Sequence, residues 1–220
     1  SKLNFGLKAG LKASVPISKK LTIGANLDVL HYSNGGTRVP NNGLNVVSVG
    51  LSVARALNED IDVPKSSFDK EKYKKHTFDL GVNIGRRGVY KSRDGLYRTG
   101  LYGGYNYRLR SYLSLGAGVD AVYYHTIYDD NRHFETYQSK ASSLDQWRVG
   151  IAVGPDLWMG NFAFMAKYGY YIHYNSLLPV KTYWTAGAKY KLNSWLGLQS
   201  KIYIHGTEAD YVGFGLMFTK

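Results

Sequence analysis

The sequence predicts an all-β protein, an antiparallel transmembrane β-barrel of the outer-membrane type. Three observations carry this. Apolar and polar residues alternate along nearly all 220 residues, as half-buried strands require. The alternating runs, eleven in number, are mostly about 9 to 14 residues long with their flanks, where a membrane-spanning strand needs about 9–11 and an ordinary strand averages about 5–6. No stretch of about 18 apolar residues exists to form a membrane helix.

The runs follow in order. Leu3, Phe5, Leu7, Ala9, Leu11, Ala13, Val15 and Ile17 share one face of the first. Leu21, Ile23, Ala25, Leu27 and Val29 share a face of the second, with Thr22, Gly24, Asn26 and Asp28 between them. Val47, Val49, Leu51 and Val53 mark the third and Phe78, Leu80, Val82 and Ile84 the fourth. Leu101 to Leu109, Leu113 to Tyr123, Trp147 to Val153 and Phe162 to Ile172 continue the series. Trp184 to Leu192, Leu196 to Ile204 and Val212 to Phe218 complete it. Interleaved positions are mostly Gly, Ser, Thr, Asn, charged residues and Tyr, so the interior is polar and the exterior apolar, as in outer-membrane barrels. A soluble lipocalin-like barrel would need shorter strands around an apolar interior.

Composition agrees. Aromatics are 15%, with twenty Tyr, many near strand ends where an interfacial girdle lies. Cysteine is absent, which excludes disulfides and thiolate metal sites. The net charge of +12 is scattered over loops, turns and interior positions without a basic helix, so it does not indicate nucleic acid. Asp28, Asp79 and Asp120 share interior parity with Lys167, Lys189, Lys201 and Arg148, which predicts ion pairs in the lumen. His125, His173 and His205 lie near strand ends without a carboxylate cluster, so neither a metal nor another cofactor is expected.

Connections alternate between tight turns (Ile17–Lys20, Leu109–Ser111, Trp158–Asn161, Leu192–Ser194) and more varied ones (Asn34–Gly43, Lys91–Gly95, Ile127–Leu144, Asn175–Val180, Thr207–Asp210). Short periplasmic turns and longer outer loops are the barrel norm. The exception is Asn58–Lys75, long and charged yet periplasmic by count, which the sequence leaves open as a plug, an ordered flap or a docking segment for an envelope partner. Because single-chain bacterial barrels have even strand numbers, eleven runs imply one barrel domain over residues 1–220 that is N-terminally incomplete, with twelve or more strands in the intact protein. The oligomeric state is not legible.

One place breaks the alternation. His31 and Ser33 occupy the apolar face of the second run, where two more hydrophobes are due. Residues two apart on a strand point the same way, so the pair is suited to nucleophilic catalysis. Antiparallel pairing with the next run brings Asn45 beside His31. The segment His31-Tyr-Ser33-Asn34, a Gly-rich loop and Pro40-Asn41-Asn42-Gly43 resembles the lipid A 3-O-deacylases, many of them described as acyloxyacyl hydrolases. The resemblance covers about residues 20 to 57.

The resemblance implies an integral protein of the bacterial outer membrane that removes an ester-linked acyl chain from lipid A, the lipid of lipopolysaccharide, at the outer leaflet. By it His31 is the general base, Ser33 the nucleophile and Asn45 the third triad member. Asn41, Asn34 and the Gly35–Gly36 turn are candidate oxyanion or substrate-binding donors. Asn45 departs from the family, which has glutamate there. The other function class compatible with the pattern is a noncatalytic barrel, a scaffold of an envelope complex or a narrow channel. Interior crowding by Tyr102, Tyr124, Tyr171 and Tyr203 argues against a wide pore.

Overall fold

The computed structural model describes residues 4–34, 43–57, 73–88, 95–131, 143–177, 179–206 and 208–220. They form eleven strands in two compact units. In the first, β1 (Phe5–Pro16), β2 (Leu21–Ser33) and β3 (Leu44–Arg55) make a three-stranded antiparallel sheet in the order β1-β2-β3. A tight turn joins the first two, closed by Ile17 N–H and Ser18 N–H donating to Leu21 O at 2.8 and 3.1 Å. The register sets like against like. Leu11 faces Leu27, which faces Val49. Val15 faces Ile23, which faces Val53. These rows form an exposed apolar face, with Leu27 at 45% and Val49 at 77% relative exposure. The opposite face is polar. There Lys8 pairs with Asp28 at 3.2 Å and Asn26 Nδ2 donates to Asp28 at 2.7 Å.

The second unit is a closed barrel of eight strands: β4 (His76–Gly88), β5 (Gly95–Arg110), β6 (Leu113–Tyr124), β7 (Trp147–Met159), β8 (Phe162–His173), β9 (Thr182–Lys191), β10 (Leu196–His205) and β11 (Glu208–Thr219). Each pairs antiparallel with its sequence neighbour, and β11 pairs with β4 to close the ring. Closure requires close backbone approach at Gly215, where a Cβ would collide with Val82 O of β4. Leu80, Ile84, Ile151, Phe164 and Phe214 project outward and are exposed. The inward set is charged and polar, the inverse of a water-soluble core and the arrangement of a transmembrane barrel.

The lumen is filled. Lys189 donates to Asp79 at 3.1 Å and to Asp156 at 2.9 Å, and Lys167 lies 3.6 Å from Asp156. Asp120, fully buried, accepts from Lys201, from Tyr203 Oη at 3.0 Å and from Tyr183 Oη at 3.2 Å. Beside it, stacked rings run Tyr174, Tyr171, Tyr183, Tyr203, Tyr211, with centroid separations of 4.3 to 6.4 Å. The space left among Asp79, Tyr102, Lys167 and Lys201 is about 10 Å³, room for one water at most.

The eleven strands and the lumen pairs Lys189–Asp79 and Lys201–Asp120 stand as the alternation predicts. Asp28 instead belongs to the three-stranded sheet, where it pairs with Lys8, and Arg148 meets the Ser143 and Ser176 hydroxyls. Two further expectations are corrected. The first is a single wall of eleven strands belonging to a barrel of twelve or more. The barrel closes at eight, and β1–β3 form a separate sheet. Alternation fixes which way each side chain points, not which edges meet, and the closing contact depends on backbone approach between β11 and β4. The second is Thr207–Asp210 as an outer loop. β11 begins at Glu208, and the register slips between Tyr203 and Ile204. Such a bulge re-aims side chains and turns both Asp210 and Tyr211 inward. Asp210 there meets Arg87 at 3.2 Å and accepts from Tyr124 Oη at 2.6 Å. Residues 58–72, the greater part of the Asn58–Lys75 segment, lie outside the described residues.

Replacing Asp120 by Asn leaves the Lys201 ammonium buried without its counter-ion. Breaking a buried pair in this way costs about 3–5 kcal/mol. We expect Asp120→Asn to lower the urea midpoint of the detergent-solubilised barrel, and Asp120→Asn with Lys201→Met to recover most of the loss. Equal stability of the single variant and the parent would remove Asp120 from the account of the lumen.

Candidate functional site

The apolar rows of the β1–β3 sheet end in a polar one. Leu7 faces His31, and His31 faces Asn45. His31 and Asn45 make a side-chain hydrogen bond, His31 Nδ1 to Asn45 Oδ1, at 2.6 Å on an exposed face. An amide oxygen only accepts, so Nδ1 carries the proton. In the neutral ring Nε2 then keeps its lone pair, and this is the tautomer that a general base needs.

Ser33 is the last residue of β2 and is half-buried, and the next residue, Asn34, is buried at 6% exposure. Gly43 opens the chain into β3 with φ 63°, a left-handed conformation that glycine adopts without penalty. A Cβ on Gly43 would stand 3.2 Å from His31 Cε1 and 3.8 Å from the Ser33 Cβ. The imidazole and the serine therefore border one small space, kept open by the missing side chain. Asn41, Gly35 and Gly36 lie outside the described residues.

Of the residues expected at the site, the structure brings together His31 and Asn45 in a bond and Ser33 at their margin. Sequence reasoning missed the part played by Gly43. Its signal was the glycine closing Pro40-Asn41-Asn42-Gly43, immediately before a strand. It also missed Asp145, which accepts from His173 Nε2 at 2.8 Å on the barrel unit. There Asp145 Oδ1 also receives the Trp147 N–H at 3.3 Å. His125 pairs with Thr99 Oγ1 at 2.9 Å. Among the described residues no group of three His, Asp or Glu could hold a metal ion.

Three solved structures are remote likenesses of the chain. A designed transmembrane β-barrel shares 18% identity over 67% of this chain and 98% of its own, with a TM-score of 0.38. CymD, a monoaromatic hydrocarbon channel, shares 12% over 99% and 73%, with a TM-score of 0.29. A mutant porin of Rh. blastica shares 10% over 99% and 91%, with a TM-score of 0.24. No curated protein sequence matches the chain. Two family models do. Residues 76–220, the whole eight-stranded barrel, match the acyloxyacyl hydrolase C-terminal domain, and residues 1–54, nearly all of the β1–β3 sheet, match lipid A 3-O-deacylase. The chain therefore belongs to the acyloxyacyl hydrolase family of lipid A deacylases, ester hydrolases that act on lipid A.

Proposed function

We propose that this chain hydrolyses an acyl ester of lipid A at the outer leaflet of the bacterial outer membrane, with Ser33 as nucleophile, His31 as general base and Asn45 orienting the imidazole. The observation that carries the reading is the His31–Asn45 bond at 2.6 Å on an exposed, otherwise apolar face. Polar side chains facing lipid need a reason, and an ester presented by the membrane itself supplies one. The substrate enters laterally. Its acyl chain lies along Val29, Val47 and Val49, which are 47%, 68% and 77% exposed.

In the acylation step Ser33 Oγ attacks the ester carbonyl carbon while His31 Nε2 takes its proton. The tetrahedral oxyanion collapses, and His31 returns the proton to the departing sugar oxygen. Water then attacks the acyl-serine by the same route in reverse and frees the fatty acid. Asn34 at the strand end, together with Asn41 and the Gly35–Gly36 amides, is the candidate donor set for the oxyanion. Asn45 fixes the tautomer but brings no charge to the imidazolium that forms. In serine proteases an acid-to-amide change at this position lowers turnover by about 10⁴, so we infer a slow enzyme.

Ser33→Ala should abolish fatty acid release from lipid A vesicles, read by mass spectrometry, while the protein still assembles and shows the heat-dependent gel shift of a folded barrel. Asn45→Glu should raise turnover, by up to about 10⁴ if the missing charge is the whole deficit. A parent protein that releases no fatty acid, with no gain from Asn45→Glu, would overturn the site and favour a scaffold role.

Gly43→Ala tests the open space beside the ring. We expect impaired release from two causes, the strained positive φ and a methyl group pressed on the imidazole edge. Lipid A hydrolysis unchanged in this variant would remove Gly43 from the site.

A further inference from the structure

The eight-stranded barrel has two unlike ends. At one, tight turns at Ser111–Tyr112, Gly160–Asn161 and Leu192–Trp195 surround a cavity of about 190 Å³. One water takes roughly 10–15 Å³ by this measure, so the cavity holds on the order of a dozen. Arg108 and Lys191 line it, and both stand over the buried Trp158 indole, with the guanidinium carbon 4.4 Å and the ammonium 4.5 Å from the ring centroid.

Elsewhere in this lumen Lys167, Lys189, Lys201 and Arg98 each lie beside a carboxylate, while Arg148 meets the Ser143 and Ser176 hydroxyls and the Tyr124 and Tyr174 rings. Among the described residues no carboxylate lies within salt-bridge distance of Arg108 or Lys191. The carboxylate in the cavity wall, Asp79, is already taken by Lys189 at 3.1 Å and Thr219 Oγ1 at 2.8 Å. Arg108 spends one donor on Ser111 O at 3.1 Å, which leaves the rest of its fork free. Ser114 Oγ accepts from Trp158 Nε1 at 2.9 Å, so its own proton remains to be donated. Two half-buried cations sharing one ring are costly without a counter-charge. The cavity offers fork, ammonium and hydroxyl donors to a compact acceptor.

We propose that this mouth binds a phosphate-type oxyanion, held by Arg108 and Lys191 against the Trp158 wall. A planar guanidinium fork matches two oxygens of such a group, and the lysine adds a point charge. The site shares no residue with the one at His31 and does not depend on the proposed hydrolysis.

The test uses the full chain in an uncharged detergent, with calorimetric titration by inorganic phosphate and, in a second arm, by dihexanoyl phosphatidic acid below its micelle concentration. We expect one saturable site. Arg108→Gln and Lys191→Gln should each weaken it at least tenfold. Lys191→Arg should keep it, and Arg110→Gln, which removes a charge from the same end outside the cavity, should leave it unchanged. Saturation by inorganic phosphate identifies a free ion as sufficient, and saturation by the lipid alone identifies a headgroup. No saturable binding in either arm overturns the proposal, as does equal weakening by Arg110→Gln. Gel shift verifies folding of every variant, and if Arg108→Gln misfolds, the contrast between Lys191→Gln and Lys191→Arg decides.

Discussion

Charge enclosed in the barrel must be neutralised within the barrel. Eight strands make a ring just wide enough for side chains to fill. The outer surface faces hydrocarbon, so the charged side chains of the membrane-spanning stretches are directed inward. Asp79, Asp120, Asp156 and Asp210 are the anions of that interior, and Lys167, Lys189, Lys201, Arg87 and Arg98 are set against them. The closure of β11 on β4 follows the same logic, because an open edge would leave backbone donors and acceptors in lipid without partners. Interior ion pairs and a ring without edges are two answers to one absence, that of water.

Much of this was legible. A period of two over nine or more residues states both that a strand exists and which way each side chain faces, so the shared interior position of Asp79, Asp120, Lys189 and Lys201 could be anticipated from parity. The lumenal tyrosines Tyr102, Tyr124, Tyr171 and Tyr203 could be placed for the same reason. Parity fails where the ladder slips. The bulge beside Tyr203 puts Asp210 and Tyr211 on the same side of the sheet, and no alternation rule yields two successive inward residues. Parity is also silent about pairing between distant strands, so one wall of eleven and a ring of eight beside a sheet of three look the same in sequence.

The candidate site was legible for a different reason. His31 and Ser33 violate a pattern that the other rows obey, and the register that sets Leu27 against Val49 necessarily sets His31 against Asn45. The bond between them is a consequence of strand pairing. Gly43 was harder to read, since a glycine before a strand is commonplace. Only its position against the imidazole edge gives it meaning.

The β1–β3 sheet restrains its two catalytic candidates unequally. β2 has hydrogen-bonded neighbours on both sides, whereas β3 has one among the described residues. His31 is therefore clamped at the centre of the sheet, while Asn45, which holds its tautomer, rides on a border strand. Border strands open more readily, and their outward amides exchange with solvent from small local fluctuations. Each excursion of β3 frees the imidazole to rotate or to move its proton to the other nitrogen. In the proposed mechanism the lifetime of the Nδ1-protonated tautomer is thus set by how firmly β3 stays paired with β2, so the border position of Asn45 bears on how often His31 could serve as a base.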